Sequence, residues 1–280
     1  MCIRDSPRAR DAPSRPLMRP ATARALLFTD LDGTLLDFQT YRPSPEAVEA
    51  LGILAGLQVL VVPVSSKTTA EVRPLMVDLE LAGFAVTEGG AVLETPSESR
   101  IVGLERDRLR SRLASLRDEG WPVRGMSEMT VAEVVDLTGL APEGAEGAMT
   151  RMASEPFVTT RELTADEARS LSRSASALGA SLTRGGRFWH LMGDGVDKAA
   201  GVKQLRADLG IGDDIASAAV GDAWNDLPML RAVDHGFLLG NAVSKELVPD
   251  NVTRFEEIGP KGFVRAVDEV LGRWRADDRI

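Results

Sequence analysis

Cysteine is almost missing from this 280-residue chain, Cys2 being the single one. An internal disulfide is thereby excluded, and such usage fits a reducing compartment. No apolar stretch approaches the ~20 residues that a bilayer-spanning helix needs. The first residues also lack the apolar segment of a secretory signal. A basic excess is lacking too: 33 Lys and Arg face 42 Asp and Glu, a net charge of -9. That balance argues against non-specific binding to nucleic acid or to an anionic membrane. Internal repeats and low-complexity tracts are absent. Together these absences predict a cytoplasmic protein with neither nucleic acid nor membrane as partner.

What the chain does have is core-forming material, with 44% hydrophobic residues over a length that suits one large or two modest domains. Residues 1–20 stand apart, with five Arg, four Pro and no apolar periodicity. They are expected to be a disordered extension without function, Met18 being the expected start. A first strand follows, Leu-Leu-Phe-Thr from Leu26, ending in Asp30-Leu-Asp32-Gly-Thr. Helical spacing over Ser44–Leu57, an apolar run at Val59–Val64, helical spacing over Thr68–Leu79 and a short strand at Phe84–Val86 continue it. The rhythm β-α-β-α-β predicts a parallel sheet with right-handed crossovers.

From about Leu93 the pattern becomes polar and mixed. Helices are expected at Glu105–Asp118, Thr130–Leu137, Pro142–Met152 and Thr164–Leu178, with strands at Phe157–Arg161, Ser181–Thr183 and Arg187–Met192. Arg184-Gly185-Gly186 is a hairpin signal between the last two. The α/β rhythm returns with a helix at Asp197–Leu209, strands at Ile215–Val220 and Gly236–Leu239, and helices at Pro228–Ala232 and Lys261–Trp274. The expected fold is therefore a doubly wound parallel α/β core, residues 21–92 and 193–280, with strand order 5-4-1-2-3. An α+β module, residues 93–192, is inserted into it.

Four stretches share one property: each ends a predicted strand or opens the helix after one. They carry Asp30 and Asp32, Ser65, Lys198, and Asp222 with Asn225 and Asp226. In open α/β sheets ligands bind at that edge. The inventory suits a phosphate: one carboxylate to attack phosphorus, others to hold a divalent cation, a hydroxyl and a lysine to grip the phosphoryl oxygens. Magnesium is the natural complement to so much negative charge, since it takes oxygen ligands from carboxylates, phosphate and water. Each residue alone has a plainer reading. Lys198 by itself would be an ordinary solvated charge, Ser65 a helix cap, and Asp-Gly a turn.

Asp-Leu-Asp-Gly-Thr, Ser65, Lys198 and Gly-Asp-x-x-Asn-Asp, in this order, resemble the four motifs of the haloacid dehalogenase superfamily, and the insertion resembles the cap of its type IIB members. Pro-Val-Ser-Ser-Lys-Thr (63–68), Thr-Gly-Leu (138–140), Arg-Phe-Trp-His (187–190) and Asn-Asp-Leu-Pro-Met-Leu (225–230) are similar to mannosyl-3-phosphoglycerate phosphatases. The resemblance covers about 21–275 and implies a phosphoric monoester hydrolase of mannosylglycerate (compatible-solute) synthesis. Asp30 would be the nucleophile and Asp32 the acid and base. Asp30, the Asp32 carbonyl and Asp222 would bind magnesium. Ser65 and Lys198 would hold the phosphoryl group, with Asn225 and Asp226 beside them. The substrate would be a phosphorylated sugar, mannosyl- or glucosyl-3-phosphoglycerate, with Lys67, Glu88, Gly89, Arg151, Arg187 and His190 as candidates to contact it.

Two departures stand out. Glu88-Gly89-Gly90 replaces a usual Glu-Asn-Gly, and Ala223-Trp224 fills the fourth motif where smaller or Pro-containing pairs are usual. Other readings of the same acids are a phosphoacceptor signalling domain, a phosphosugar mutase and a silent sugar-phosphate binder. The first lacks a cap and any counterpart of Asp32.

Overall fold

The computed structural model describes residues 19–185 and 187–280. The expectation for residues 1–20 falls almost wholly outside that span, as does Gly186 of the hairpin signal. The first strand, β1 (Ala25–Thr29), leads to α1 (Pro45–Gly56), β2 (Val59–Pro63), α2 (Thr69–Asp78) and β3 (Ala85–Thr87). Local chemistry sets these boundaries. The Ser44 hydroxyl accepts from the Ala47 amide ahead of a first-turn proline, and Thr68 with Glu71 forms a reciprocal capping box.

Two strands absent from the sequence reading come next, β4 (Val92–Glu94), which pairs antiparallel with β3, and β5 (Ser99–Ile101), which pairs antiparallel with β4. The expected domain boundary at 93 therefore falls inside a hairpin that stays with the core. The excursion into a separate sheet begins at α3 (Arg106–Asp118) and continues through β6 (Val123–Gly125), α4 (Val131–Thr138), α5 (Pro142–Met149), β7 (Glu155–Thr159), α6 (Ala165–Ala177), β8 (Ala180–Arg184) and β9 (Trp189–Gly193). Its four strands run β6-β7-β9-β8, all antiparallel. One face packs on α3 and α6 through Leu109, Leu113, Leu171, Phe157 and Leu191.

The chain returns through α7 (Lys198–Asp208), β10 (Ala216–Gly221), α8 (Leu227–Arg231), β11 (His235–Leu239), β12 (Val252–Phe255) and α9 (Gly259–Ala276). The parallel sheet has the order β12-β11-β10-β1-β2. The expected order 5-4-1-2-3 corresponds to β11-β10-β1-β2-β3 and is kept, with two differences. Strand β12, a short Val-Thr-Arg-Phe, adds an edge, and β3 joins β2 only through one bridge between Val64 and Val86.

Alternation along β1 shows why the sheet is covered on both faces. Ala25 and Leu27 pack toward α1 and α9, with Leu51, Leu54, Phe263 and Trp274. Leu26 and Phe28 pack toward α7 and α8, with Val202, Leu205 and Leu230. A strand buried on both faces reads as a continuous apolar run. What such a strand delivers at its C-terminal tip is then held rigidly.

Candidate functional site

Asp30 is the first residue after β1, and its amide donates to the Val220 carbonyl at 2.9 Å. The chain turns at once, the Leu36 amide donating to the Leu31 carbonyl at 2.8 Å. Gly33 sits in this turn at φ +81°, and a Cβ there would lie 2.6 Å from Asp222 Oδ2. Its missing side chain lets the carboxylate after β10 come up against the turn after β1.

Lys198 joins the motifs. It is 1% exposed and donates to Asp30 Oδ1 at 2.6 Å and to Asp226 Oδ1 at 2.5 Å. The other Asp226 oxygen accepts from the Asp222 and Ala223 amides at 3.0 and 2.9 Å. Asp226 thus has both oxygens committed and fixes Lys198. Lysine reaches this place because Asp197 caps α7, accepting from the Ala200 amide at 2.8 Å. The glycine turn 88–90 also lets α7 approach, since a Cβ on Gly90 would lie 1.9 Å from the Asp197 carbonyl oxygen.

The electrostatics follow from this packing. Burial pushes Asp30 well above the usual carboxylate range, opposed by Lys198 and reinforced by Asp226 and Asp222. Burial, then Asp226, pushes Asp222 up to about 6. Burial alone would pull Lys198 down, but Asp226 and Asp30 outweigh it and hold its ammonium above the ordinary lysine value. A centre whose carboxylates are pushed up is short of positive charge. One oxygen from each of Asp30, Asp222 and Asp226 lies within 4.8 Å of the others. An all-oxygen donor set of this kind fits a hard divalent cation. With Asp226 already engaged, Asp30 and Asp222 are the carboxylates free to serve it.

Ser65 follows β2, nearly buried, its hydroxyl accepting from the Lys67 amide at 3.2 Å. Lys67 pairs with Asp32 Oδ2 at 2.9 Å and stands 5.0 Å from the Tyr41 ring centroid. Burial would lower its pKa, but Asp32 and Glu71 outweigh that and raise it. The other Asp32 oxygen is covered and has no hydrogen-bond partner among the described residues. The Lys67–Asp32 pairing and the contribution of Tyr41 are new relative to the sequence. The only available signal was that Tyr41 is the sole tyrosine.

A cleft of about 910 Å³ joins this centre to the second sheet, with Asp30, Asp32, Ser65, Lys67, Gly89, Arg151, Arg187, His190, Lys198 and Asn225 all on its wall. Period two along β8 and β9 explains the cap's share. Leu182 faces Leu191 in the module's core, while the pairs Ser181–Met192 and Thr183–His190 line the cleft. Burial, then Arg151 and Lys198, pull His190 down to about 3, so it stays neutral. Arg187 Nη1 donates to the Thr138 carbonyl at 2.6 Å. Trp224, 49% exposed, stands on the cleft wall instead of packing into a core.

One expected substrate contact is placed elsewhere. Glu88 is not on the cleft wall: its carboxylate accepts from the Met152 and Ala153 amides and the Ser154 hydroxyl. Its neighbour Gly89 does reach the cleft. Nothing local in Glu-Gly-Gly marks a partner more than sixty residues away.

A sequence model for the family described as haloacid dehalogenase-like hydrolase matches residues 148–248. The chain is 31% identical over 271 residues to the glucosyl-3-phosphoglycerate/mannosyl-3-phosphoglycerate phosphatase of Persephonella marina, covering 88% of this chain and 97% of that protein. It is 29% identical over 272 residues to the protein of the same description from Methanococcoides burtonii, covering 89% and 97%. Among solved structures, a sugar phosphatase of haloacid dehalogenase subclass IIB superposes with a TM-score of 0.65 at 19% identity, covering 91% of this chain and all of that one. A haloacid dehalogenase-like hydrolase from B. subtilis gives 0.66 at 19% identity, covering 88% and 99%.

Proposed function

The chain belongs to the haloacid dehalogenase-like hydrolases and is a phosphoric monoester hydrolase; from that premise we propose that it removes phosphate, with magnesium, from mannosyl- and glucosyl-3-phosphoglycerate. One observation carries the reading. A single cleft runs from the Asp30–Lys198–Asp226 centre to a second wall offering Arg151, Arg187 and the neutral His190. Such a cleft accommodates a phosphate at one end and a sugar with a second anion at the other. The relatives' descriptions name both sugars, which widens the mannosyl preference drawn from the motifs.

The mechanism we derive uses the chain's own groups. Asp30 attacks phosphorus and becomes an aspartyl-phosphate, while Asp32 gives a proton to the departing alkoxide. Asp32 then takes a proton from the water that attacks the same phosphorus, and Asp30 is released. Lys198 and the Ser65 hydroxyl hold phosphoryl oxygens as charge moves onto them. Asp226 keeps the Lys198 ammonium aimed, and Asn225 lies on the wall of the same cleft. Asp30, Asp222 and the Asp32 carbonyl would hold magnesium, which when bound offsets the repulsion between carboxylate and phosphate and stabilises the transferring group. Arginine forks suit a carboxylate, so Arg151 and Arg187 are assigned to the glycerate. His190, being uncharged, is assigned to a sugar hydroxyl.

The test is phosphate release from both esters, with magnesium or EDTA, for wild type and Asp30→Asn. Magnesium-dependent release that falls at least ~1,000-fold in the variant is expected, a nucleophile's loss being worth several kcal/mol of barrier. Release that survives in Asp30→Asn would sink the nucleophile assignment. Release only from other sugar phosphates would discard the glycerate.

A further inference from the structure

Glu88 has a geometry that the catalytic cycle does not use. It lies in the left-handed region at φ +50°, uncommon for a residue with a side chain and a pointer to function when it occurs beside a site. Glycine would relieve that strain, and the next two residues are glycines. The side chain retained here is a buried carboxylate that crosses from one sheet system to the other. Oε1 accepts from the Met152 amide at 2.7 Å, and Oε2 from the Ala153 amide at 3.0 Å and the Ser154 hydroxyl at 2.6 Å. Three donors thus satisfy both oxygens of this buried side chain.

The backbone of the same turn faces the phosphate-gripping loop. The Glu88 amide donates to the Lys67 carbonyl at 2.8 Å, and the Gly89 amide to the Ser65 carbonyl at 2.9 Å. Arg151 closes the ring. Its Nη1 donates to the Ser66 carbonyl at 3.2 Å and to the Ser154 hydroxyl at 2.9 Å, and its Nε to the Ala148 carbonyl at 3.0 Å. Nη2 has no protein partner among the described residues, and Arg151 lies on the cleft wall. Burial lowers the arginine's pKa, and the Glu88 charge is the largest influence opposing it.

We propose that Glu88 is a positioning residue: it latches the cap loop 151–154 onto the Ser65–Lys67 loop and so sets Arg151 in the cleft to receive the carboxylate of the substrate's aglycone. The carboxylate clause rests on the function proposed above, whereas the latch itself does not. The cap is thereby registered on the loop that grips phosphate, with the Arg151–Ser66 and Thr68–Gly147 hydrogen bonds beside the Glu88 contacts.

The experiment has an arm that needs no substrate. Amide hydrogen exchange is followed in wild type, Glu88→Gln and Ser154→Ala. The Gln variant keeps the shape but turns an NH2 toward groups that donate. Exchange at Met152 and Ala153 is expected to rise at least tenfold in Glu88→Gln and less in Ser154→Ala, with α6 and β8 unchanged. Unchanged exchange at 152–153 overturns the latch, and Ser154→Ala decides the matter if Glu88→Gln does not fold. In the second arm, kcat/KM for the phosphoglycerate esters is expected to fall at least tenfold in Glu88→Gln, chiefly through KM. For p-nitrophenyl phosphate, which has no carboxylate, the fall is smaller. Adding Arg151→Ala to Glu88→Gln costs no more than Arg151→Ala alone. Equal losses on both kinds of ester, or additive losses in the double variant, overturn the positioning role. A wild type inactive on both phosphoglycerate esters, with the exchange result intact, removes the carboxylate clause and leaves the latch.

Discussion

Gly33 shows how much one missing side chain decides. It combines a left-handed backbone with a close approach of Asp222 Oδ2, 2.6 Å from where a Cβ would stand. Gly33→Ala should lose about 1–2 kcal/mol of stability from the backbone alone. It should also displace the Asp222 carboxylate, raising the magnesium concentration for half-maximal activity. Denaturant melts and a magnesium titration of turnover check the two effects separately. His190 carries a different signature. Burial, Arg151 and Lys198 hold it neutral down to about 3, while the unfolded chain binds a proton from its ordinary value near 6.5. Below that value the unfolded state holds the extra proton, so stability falls as pH drops from about 6.5 toward 3. Replacing His190 with Gln should remove roughly one proton from the slope of stability against pH in that window. Melts at a series of pH values would measure it, and an unchanged slope would mean that the ring is hydrated in the native cleft.

The second helix shows what local sequence can write down by itself. Thr68 and Glu71 satisfy each other's backbone amides three residues apart, so the start of α2 is set within one turn. Pro45 behind Ser44 does the same for α1. Yet Thr68 Oγ1 also donates to the Gly147 carbonyl at 2.8 Å, 79 residues away, and so ties α2 to the cap. Thr68→Ala should therefore cost about 1 kcal/mol through the cap of α2, and it should weaken cap closure as well. Thr68→Ser, which keeps the hydroxyl, should restore both; melts and KM for the sugar substrate distinguish them. Elements missed in the sequence are short ones. β4, β5 and β6 have three residues each and β12 has four, too few for an alternation to declare itself. They exist because neighbouring strands supply the ladder.

At the scale of the whole molecule, the parallel sheet supplies chemistry and the antiparallel one supplies a wall. Small phosphate esters that leave the cap wall untouched should turn over poorly, since binding energy from remote groups is what orients the reacting ones. A kcat/KM for p-nitrophenyl phosphate at least tenfold below that for the better sugar substrate is expected in parallel assays, and equal values would mean that the cap is idle. No helix among the described residues is long and apolar enough to cross a membrane. The sequence by itself determined the order of the four motifs, the doubly wound rhythm around them and most helix boundaries. These are written in spacings of two to four residues, or as residue types at strand ends. Only the tertiary structure decided that Lys198 bridges Asp30 and Asp226, that Lys67 holds Asp32, and that Glu88 turns from the cleft to grip the cap. Those contacts join residues far apart in the chain. No local period encodes them, and they form only when buried charges must find partners inside the packed molecule.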